Sequence, residues 1–203
     1  MNSAKKSEIC GIVLAGGKSS RLGQDKTRII INGQTLLERM LSLTEKFCDK
    51  TFCVGRDAQN QGINFPWILD KIPGIGPMGG ILTALQKFNS PCLILACDLP
   101  KINQEIIQRL ISHRNLYGKD KYMTTFYQKR TGFIEALVSI YEPRCADLLL
   151  ASLNQGCYKL SRAVPYDNRC HIAYGPEEEE YFFNINYPHD LSKLNKGEDS
   201  VLL

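Results

Sequence analysis

Eight cysteines occur in this chain, yet no two of them form a C-x-x-C pair. Zinc ribbons and thioredoxin-type redox centres both need that spacing, so neither fits. Several of the thiols sit inside apolar runs, as in Pro91-Cys-Leu-Ile-Leu-Ala-Cys97, and are expected to be buried and reduced. No dense Lys/Arg block is present. The 25 Lys+Arg against 21 Asp+Glu leave a net charge of +4, which suits a small anionic ligand and is too weak for nucleic acid. No apolar run reaches membrane-spanning length. The N-terminal Met-Asn-Ser-Ala-Lys-Lys-Ser-Glu8 carries charge without the apolar stretch of a secretory signal. The expectation is a cytoplasmic protein that engages neither nucleic acid nor a membrane.

What is present is a single globular domain. Hydrophobic residues make up 43% of the 203 residues, enough for one core and too many for a disordered chain. Residues 1–7 are expected to be a disordered tail. Ile9–Leu14 reads as a buried strand ended by Gly16-Gly17. Thr27–Ile31 reads as a short strand before the hairpin signal Asn32-Gly33. Thr35 is placed to cap a helix with an apolar stripe of Leu36, Met40, Leu43 and Phe47. Strands follow at 51–54, 65–69 and 92–96, with a shaped loop over 70–80 and a helix over 81–88. A helix begins at Asn103 or Gln104. Alternation of strand and helix implies crossovers and a mostly parallel sheet, hence a three-layer α/β/α, Rossmann-like fold. In the second half, 121–126 and 133–141 read as paired strands, 143–153 as a helix and 171–174 as a strand. Glu177–Glu180 reads as a solvated turn or helix start rather than a metal site. A last helix follows Asn186.

The segment Leu14-Ala-Gly-Gly-Lys-Ser-Ser-Arg-Leu-Gly-Gln-Asp-Lys26 carries the most chemical information. It follows a buried strand, where an α/β sheet presents ligands. Gly16, Gly17 and Gly23 allow close backbone approach, and their N–H groups can converge on phosphate oxygens. Ser19 and Ser20 add hydroxyl donors, and Lys18, Arg21 and Lys26 add positive charge. Neither the P-loop pattern nor the dinucleotide fingerprint fits this segment.

Four motifs in order resemble one family. The glycine-rich segment is similar to the L-A-G-G-x-x-x-R-[ML]-G-x-D-K signature of the molybdenum cofactor guanylyltransferases, the MobA-like nucleotidyltransferases. Asp70 with Gly76-Pro-Met-Gly-Gly80, Cys97-Asp-Leu-Pro100 and Phe183-Asn-Ile-Asn-Tyr-Pro-His-Asp-Leu191 resemble the family's remaining motifs. Leu22 stands where Met is commoner, and Tyr187 and His189 stand where Thr and Glu are usual. Glu135-Ala-Leu137 lacks the proline common in similar enzymes.

The resemblance implies attack by an acceptor phosphate on the α-phosphorus of GTP, with loss of pyrophosphate. That chemistry needs positioning and charge neutralisation. Arg21, Lys26 and Asp98 are the implied catalytic residues. Leu14, Ala15, Gly16, Gly17, Lys26, Asp70, Gly76, Gly80, Asp98, Asn184 and Asn186 are the implied nucleotide site. Asp98 is the implied Mg²⁺ ligand, since Mg²⁺ is held by few carboxylates plus phosphate and water. Asn184 and Asn186 either orient metal-bound water or a ribose, or bond local backbone. Tyr158, Lys159 and Arg162 read as a solvated helix face. The implied substrates are GTP and a molybdopterin-type cofactor, with cofactor-accepting apoenzymes or their chaperones as partners. The alternatives are a transferase of the same fold using CTP or a sugar or alcohol phosphate, and a non-catalytic cofactor carrier.

Overall fold

The apolar run that opens the chain becomes the central strand of a seven-stranded sheet. The computed structural model describes residues 7–16, 25–59, 62–194 and 201–202. Strand β1 (Ser7–Leu14) pairs in parallel with β4 (Cys48–Val54) on one side and β6 (Cys92–Ala96) on the other. With β5 (Trp67–Ile68), β7 (Met123–Gln128), β8 (Ile134–Tyr141) and β9 (Arg169–Tyr174), the order is β5-β4-β1-β6-β8-β7-β9. Only β8 runs antiparallel to its neighbours. All five residues of β6 are buried, as expected of a strand covered on both faces.

Two helical layers supply that cover. Helices α1 (Leu36–Glu45) and α3 (Gln104–His113) bury Met40, Leu41, Ile107 and Leu110 against one face. Helices α2 (Pro77–Phe88), α4 (Cys145–Asn154) and α5 (Leu160–Ala163) cover the other with Met78, Ile81, Leu149 and Leu160. The expected three-layer architecture is therefore found. Thr35 caps α1 through a capping box with Glu38, an arrangement that contributes about 1 kcal/mol. Asn103 caps α3 through Ile106 N–H.

A second, smaller sheet orders β2 (Ile30–Ile31) between β3 (Gln34–Thr35) and β10 (Val201–Leu202). Asn32 and Gly33 both adopt positive φ, the geometry that a two-residue hairpin turn demands. Ile29, Ile31 and Leu36 pack there with Ile185 and Leu191, the latter from helix α6 (Pro188–Leu194). This small core brings the segment after the glycine-rich loop against the chain's last motif.

Several expectations need correction. Thr27–Ile31 is not one strand: Lys26–Arg28 forms a single 3₁₀ turn, and only Ile30–Ile31 pairs. The cause is Asp25, whose Oδ1 accepts from Thr27 N–H at 3.1 Å and Thr27 Oγ1 at 2.8 Å, closing an Asx-type cap. The loop over 70–80 ends early because α2 starts at Pro77. Proline is favoured at a first helical position, where no N–H is needed. The strand expected at 65–69 pairs only at Trp67–Ile68, and Phe47 lies beyond the end of α1. Ser7, placed in the tail by its sequence, begins β1, and residues 1–6 lie outside the described residues. Glu177–Glu180 lies within a 3₁₀ segment, Pro176–Phe182, and three of its acids pair with Arg109, Arg130 and Lys101. The cysteines, by contrast, are as expected: seven of the eight are buried and all are free.

Candidate active site

From β1 the chain crosses through α1 to β4 on one side, and later returns through α2 to β6 on the other. Such a reversal leaves a crevice at the carboxyl ends of β1 and β6. The hydrogen bond from Cys97 N–H to the Leu14 carbonyl, 3.2 Å, joins the two strand ends there. Asp98 is the next residue.

Three separate stretches of sequence meet at that point. Lys26 Nζ donates to Asp98 Oδ2 at 3.2 Å and to Asn186 Oδ1 at 2.8 Å. The Lys26–Asp98 pair is mostly shielded, with side chains 18% and 19% exposed. Two further contacts fix the arrangement. Ile185 N–H donates to the Asp98 carbonyl at 3.0 Å, and Asp190 Oδ2 accepts from the N–H groups of Asn186 and Tyr187 at 2.9 Å each. Asp190, in the first turn of α6, thereby reaches back to the two N–H groups that precede the helix and anchors Asn186. The two asparagines divide between the roles open to them. Asn186 joins the cluster, whereas Asn184 Nδ2 donates to the Phe182 carbonyl at 3.3 Å.

A second acidic group lies on the β5 side. Asp70 Oδ1 is buried and has no hydrogen-bond partner among the described residues. Burial pushes its carboxyl above the ordinary value. Its walls are glycines. A Cβ on Gly80 would lie 3.2 Å from Asp70 Oδ1 and 2.8 Å from Leu14 Cδ2, and one on Gly16 would lie 3.6 Å from Asp70 Oδ2. Gly55 has φ +91 and a Cβ there would sit 2.8 Å from Gly16 Cα, so neither backbone nor space admits a side chain. A buried carboxylate oxygen without a donor, in a cradle of glycines, is an acceptor site for a ligand N–H or O–H.

The other expected residues fall into place unequally. Leu14 and Ala15 are buried, and their backbone groups have protein partners: Ala15 N–H donates to the Val54 carbonyl, and the Ala15 carbonyl accepts from Arg56 Nε. Gly16 is exposed. Gly76, at φ +67 and ψ −153, precedes α2 in a conformation that favours glycine. Gly17, Lys18, Ser19, Ser20, Arg21, Leu22 and Gly23 lie outside the described residues. Tyr158, Lys159 and Arg162 are exposed, with Arg162 alone on a helix. Glu135 is buried and accepts from Tyr174 O–H at 2.5 Å.

Gly74-Ile-Gly76-Pro-Met-Gly79 meets the spacing of the dinucleotide fingerprint and lies between a strand and a helix. Two of the amides around its turn into the helix are not available to a pyrophosphate. Pro77 has no N–H, and Gly79 N–H donates to the Gly76 carbonyl at 3.2 Å.

Sequence reasoning missed Arg56. Its Nη1 donates to Asp25 Oδ2 and, at 3.3 Å, to Thr27 Oγ1. Burial works to raise the Asp25 carboxyl, but bonds from Thr27 and Arg56 outweigh it and hold the carboxyl below its ordinary value. The available signal was a lone arginine just after a strand that neighbours β1.

A divalent cation fits the cluster chemically. One carboxylate oxygen and one amide oxygen already converge on an ammonium cation. Among the described residues no group of three or more His, Cys, Asp or Glu is placed to hold a metal. That donor set suits Mg²⁺, which shares few protein ligands with phosphate and water, and not a closed protein cage. Among the described residues no helix is long and apolar enough to cross a membrane.

Known proteins resemble this chain in sequence and in fold. Residues 11–169 match the MobA-like NTP transferase domain. The chain is 32% identical over 196 residues to a probable molybdenum cofactor guanylyltransferase of Thermococcus gammatolerans, covering 92% of this chain and 99% of that protein. It is 34% identical over 189 residues to a molybdenum cofactor biosynthesis bifunctional protein of Synechocystis sp., where it spans 91% of itself but 53% of that longer protein. Molybdopterin-guanine dinucleotide biosynthesis protein A of Archaeoglobus fulgidus superposes with a TM-score of 0.73 at 26% identity, over 93% of this chain and 97% of that one. The chain belongs to the MobA-like NTP transferase family of nucleotidyltransferases.

Proposed function

We propose that this protein transfers GMP from GTP to the phosphate of a molybdopterin-type cofactor and releases pyrophosphate. The observation that carries the reading is the meeting of Lys26, Asp98 and Asn186 at the switch point of the sheet. The printed names of the relatives supply the guanine and the molybdenum cofactor.

Each residue has a part that its position supports. The ammonium of Lys26 neutralises charge on the triphosphate and on the departing pyrophosphate, the main demand of phosphoryl chemistry. Asp98, with Asn186 beside it, would hold Mg²⁺, which when bound supplies charge neutralisation and a template for phosphate oxygens. Asp190 keeps Asn186 in place through two backbone N–H groups. Asp70 Oδ1 accepts from guanine or ribose, filling its missing hydrogen bond. Gly16, Gly76 and Gly80 let backbone approach the nucleotide, and Arg21 adds charge to the phosphates. A cytoplasmic location and hand-over of the product to apoenzymes or their chaperones belong to the same reading.

A thermal-shift panel of GTP, CTP, ATP and UTP with Mg²⁺ tests it, because a ligand bound only by the folded state raises stability. GTP should stabilise most. Equal shifts with all four would contradict a guanine site. Stabilisation by finished cofactor without pyrophosphate release from GTP would indicate a carrier.

A further inference from the structure

The glycine-rich connection leaves β1 at Ala15 and re-enters described structure at Asp25, one residue before Lys26. Both points are held by one side chain that belongs to neither. Arg56 follows β4, and its guanidinium reaches the Ala15 carbonyl through Nε and the Asp25 carboxylate and Thr27 hydroxyl through Nη1. Thr27 in turn donates its hydroxyl and its N–H to Asp25. The three acceptors therefore enclose Lys26 on both sides in sequence. A planar guanidinium presents several donors in fixed directions, which a lysine ammonium cannot copy.

Resting on the role proposed above for Lys26, we infer that Arg56 is a positioning residue for the reaction: it clamps the departure and return of the phosphate-binding connection and so fixes the turn that aims Lys26 at Asp98 and Asn186. Arg56 acts through Lys26 and Asp25, so its loss should be felt at the lysine before any nucleotide is present.

The test labels the parent, Arg56→Ala and Arg56→Lys with an amine-acylating reagent in the absence of nucleotide. Mass spectrometry follows modification of Lys26 against Lys101, which pairs separately with Glu180. Labelling of Lys26 should accelerate several-fold in both variants while Lys101 keeps its rate. An unchanged Lys26 rate overturns the inference, whether or not the parent turns over GTP. A parallel rise at Lys101 in both variants, the mark of general unfolding, overturns it as well. In a parent that releases pyrophosphate, Arg56→Ala should lower kcat/KM by about tenfold to a hundredfold, the cost expected of a misplaced catalytic group. In a Lys26→Ala background the same change should cost little, because coupled residues are non-additive. Equal losses in both backgrounds overturn the inference. A parent that releases no pyrophosphate from any NTP removes the transferase reading, and the labelling rates still decide the role of Arg56.

Discussion

Lys26 and Asp98, 72 residues apart, are joined at 3.2 Å in a niche that also holds the side-chain oxygen of Asn186. The lysine comes from the turn after the glycine-rich connection and the aspartate from the end of β6. Only the fold brings them together, since β1 and β6 are neighbours and α6 packs under β2. In the proposed reaction this shielded ammonium is the cation that meets the triphosphate.

Replacing Lys26 by alanine should lower kcat/KM by on the order of tenfold to a thousandfold, the scale for losing one charged donor to a transition state. The fold should persist, as Lys26 belongs to none of the hydrophobic clusters. Steady-state kinetics at subsaturating GTP provide the check. An enzyme with parental kcat/KM would remove Lys26 from the mechanism.

Asp98→Asn keeps an oxygen acceptor for Lys26 and the turn before Pro100, but removes the charge. Melting temperature should stay near the parent's. Pyrophosphate release should fall severely and its Mg²⁺ dependence should shift or vanish. Parental turnover at low Mg²⁺ would show that Asp98 only shapes the turn.

The asparagines separate by the bonds they make. Asn186→Ala removes an acceptor of Lys26 and should reduce kcat/KM by about tenfold or more. Asn184→Ala removes one bond to a nearby carbonyl and should change it little. The order of the two variants in a single kinetic comparison is decisive; a larger loss from Asn184→Ala would reverse the assignment.

A pH experiment bears on Glu135. Burial raises its carboxyl above the ordinary value, against the lowering effect of the Tyr174 bond. The folded state therefore keeps its proton where the unfolded chain, near pH 4.3, has begun to lose it. Fewer protons on the unfolded state mean that stability falls as pH rises through that window. Glu135→Gln keeps the acceptor for Tyr174 and cannot ionise, so it should gain stability relative to the parent as pH climbs from 4 upward, by about the onset set by an ordinary carboxyl. Denaturant melts across the range measure this. A parent-minus-variant difference that is flat with pH would contradict it.

The sequence made much of the sheet readable, for physical reasons. β1 and β6 are continuous apolar runs with glycine or aspartate at their ends, and Asn32-Gly33 has few backbone options other than a tight hairpin. α1 and α3 carry their own caps and apolar stripes. The Lys26 turn was not readable, because Asp25 competes locally with a strand of good β-propensity. The start of α2 was hidden by glycines, which are needed at Gly79 and Gly80 because a Cβ there would crowd Ile72, Asp70 and Leu14. At the site, residues inside motifs stood out. Asp190 stood out only as a motif residue and a reserve metal ligand, not as the anchor of Asn186, and Arg56 had no motif at all. Their roles lie in partners distant in sequence or in backbone bonds that composition does not reveal.

The most direct test is the reaction itself. Purified protein is incubated with Mg²⁺, molybdopterin-type cofactor and each of GTP, CTP, ATP and UTP, and both pyrophosphate and the cofactor product are measured. GTP should yield pyrophosphate in step with a guanine dinucleotide form of the cofactor, and the other three should yield little. Pyrophosphate release that favours CTP, or no release from any nucleotide, would contradict guanylyl transfer.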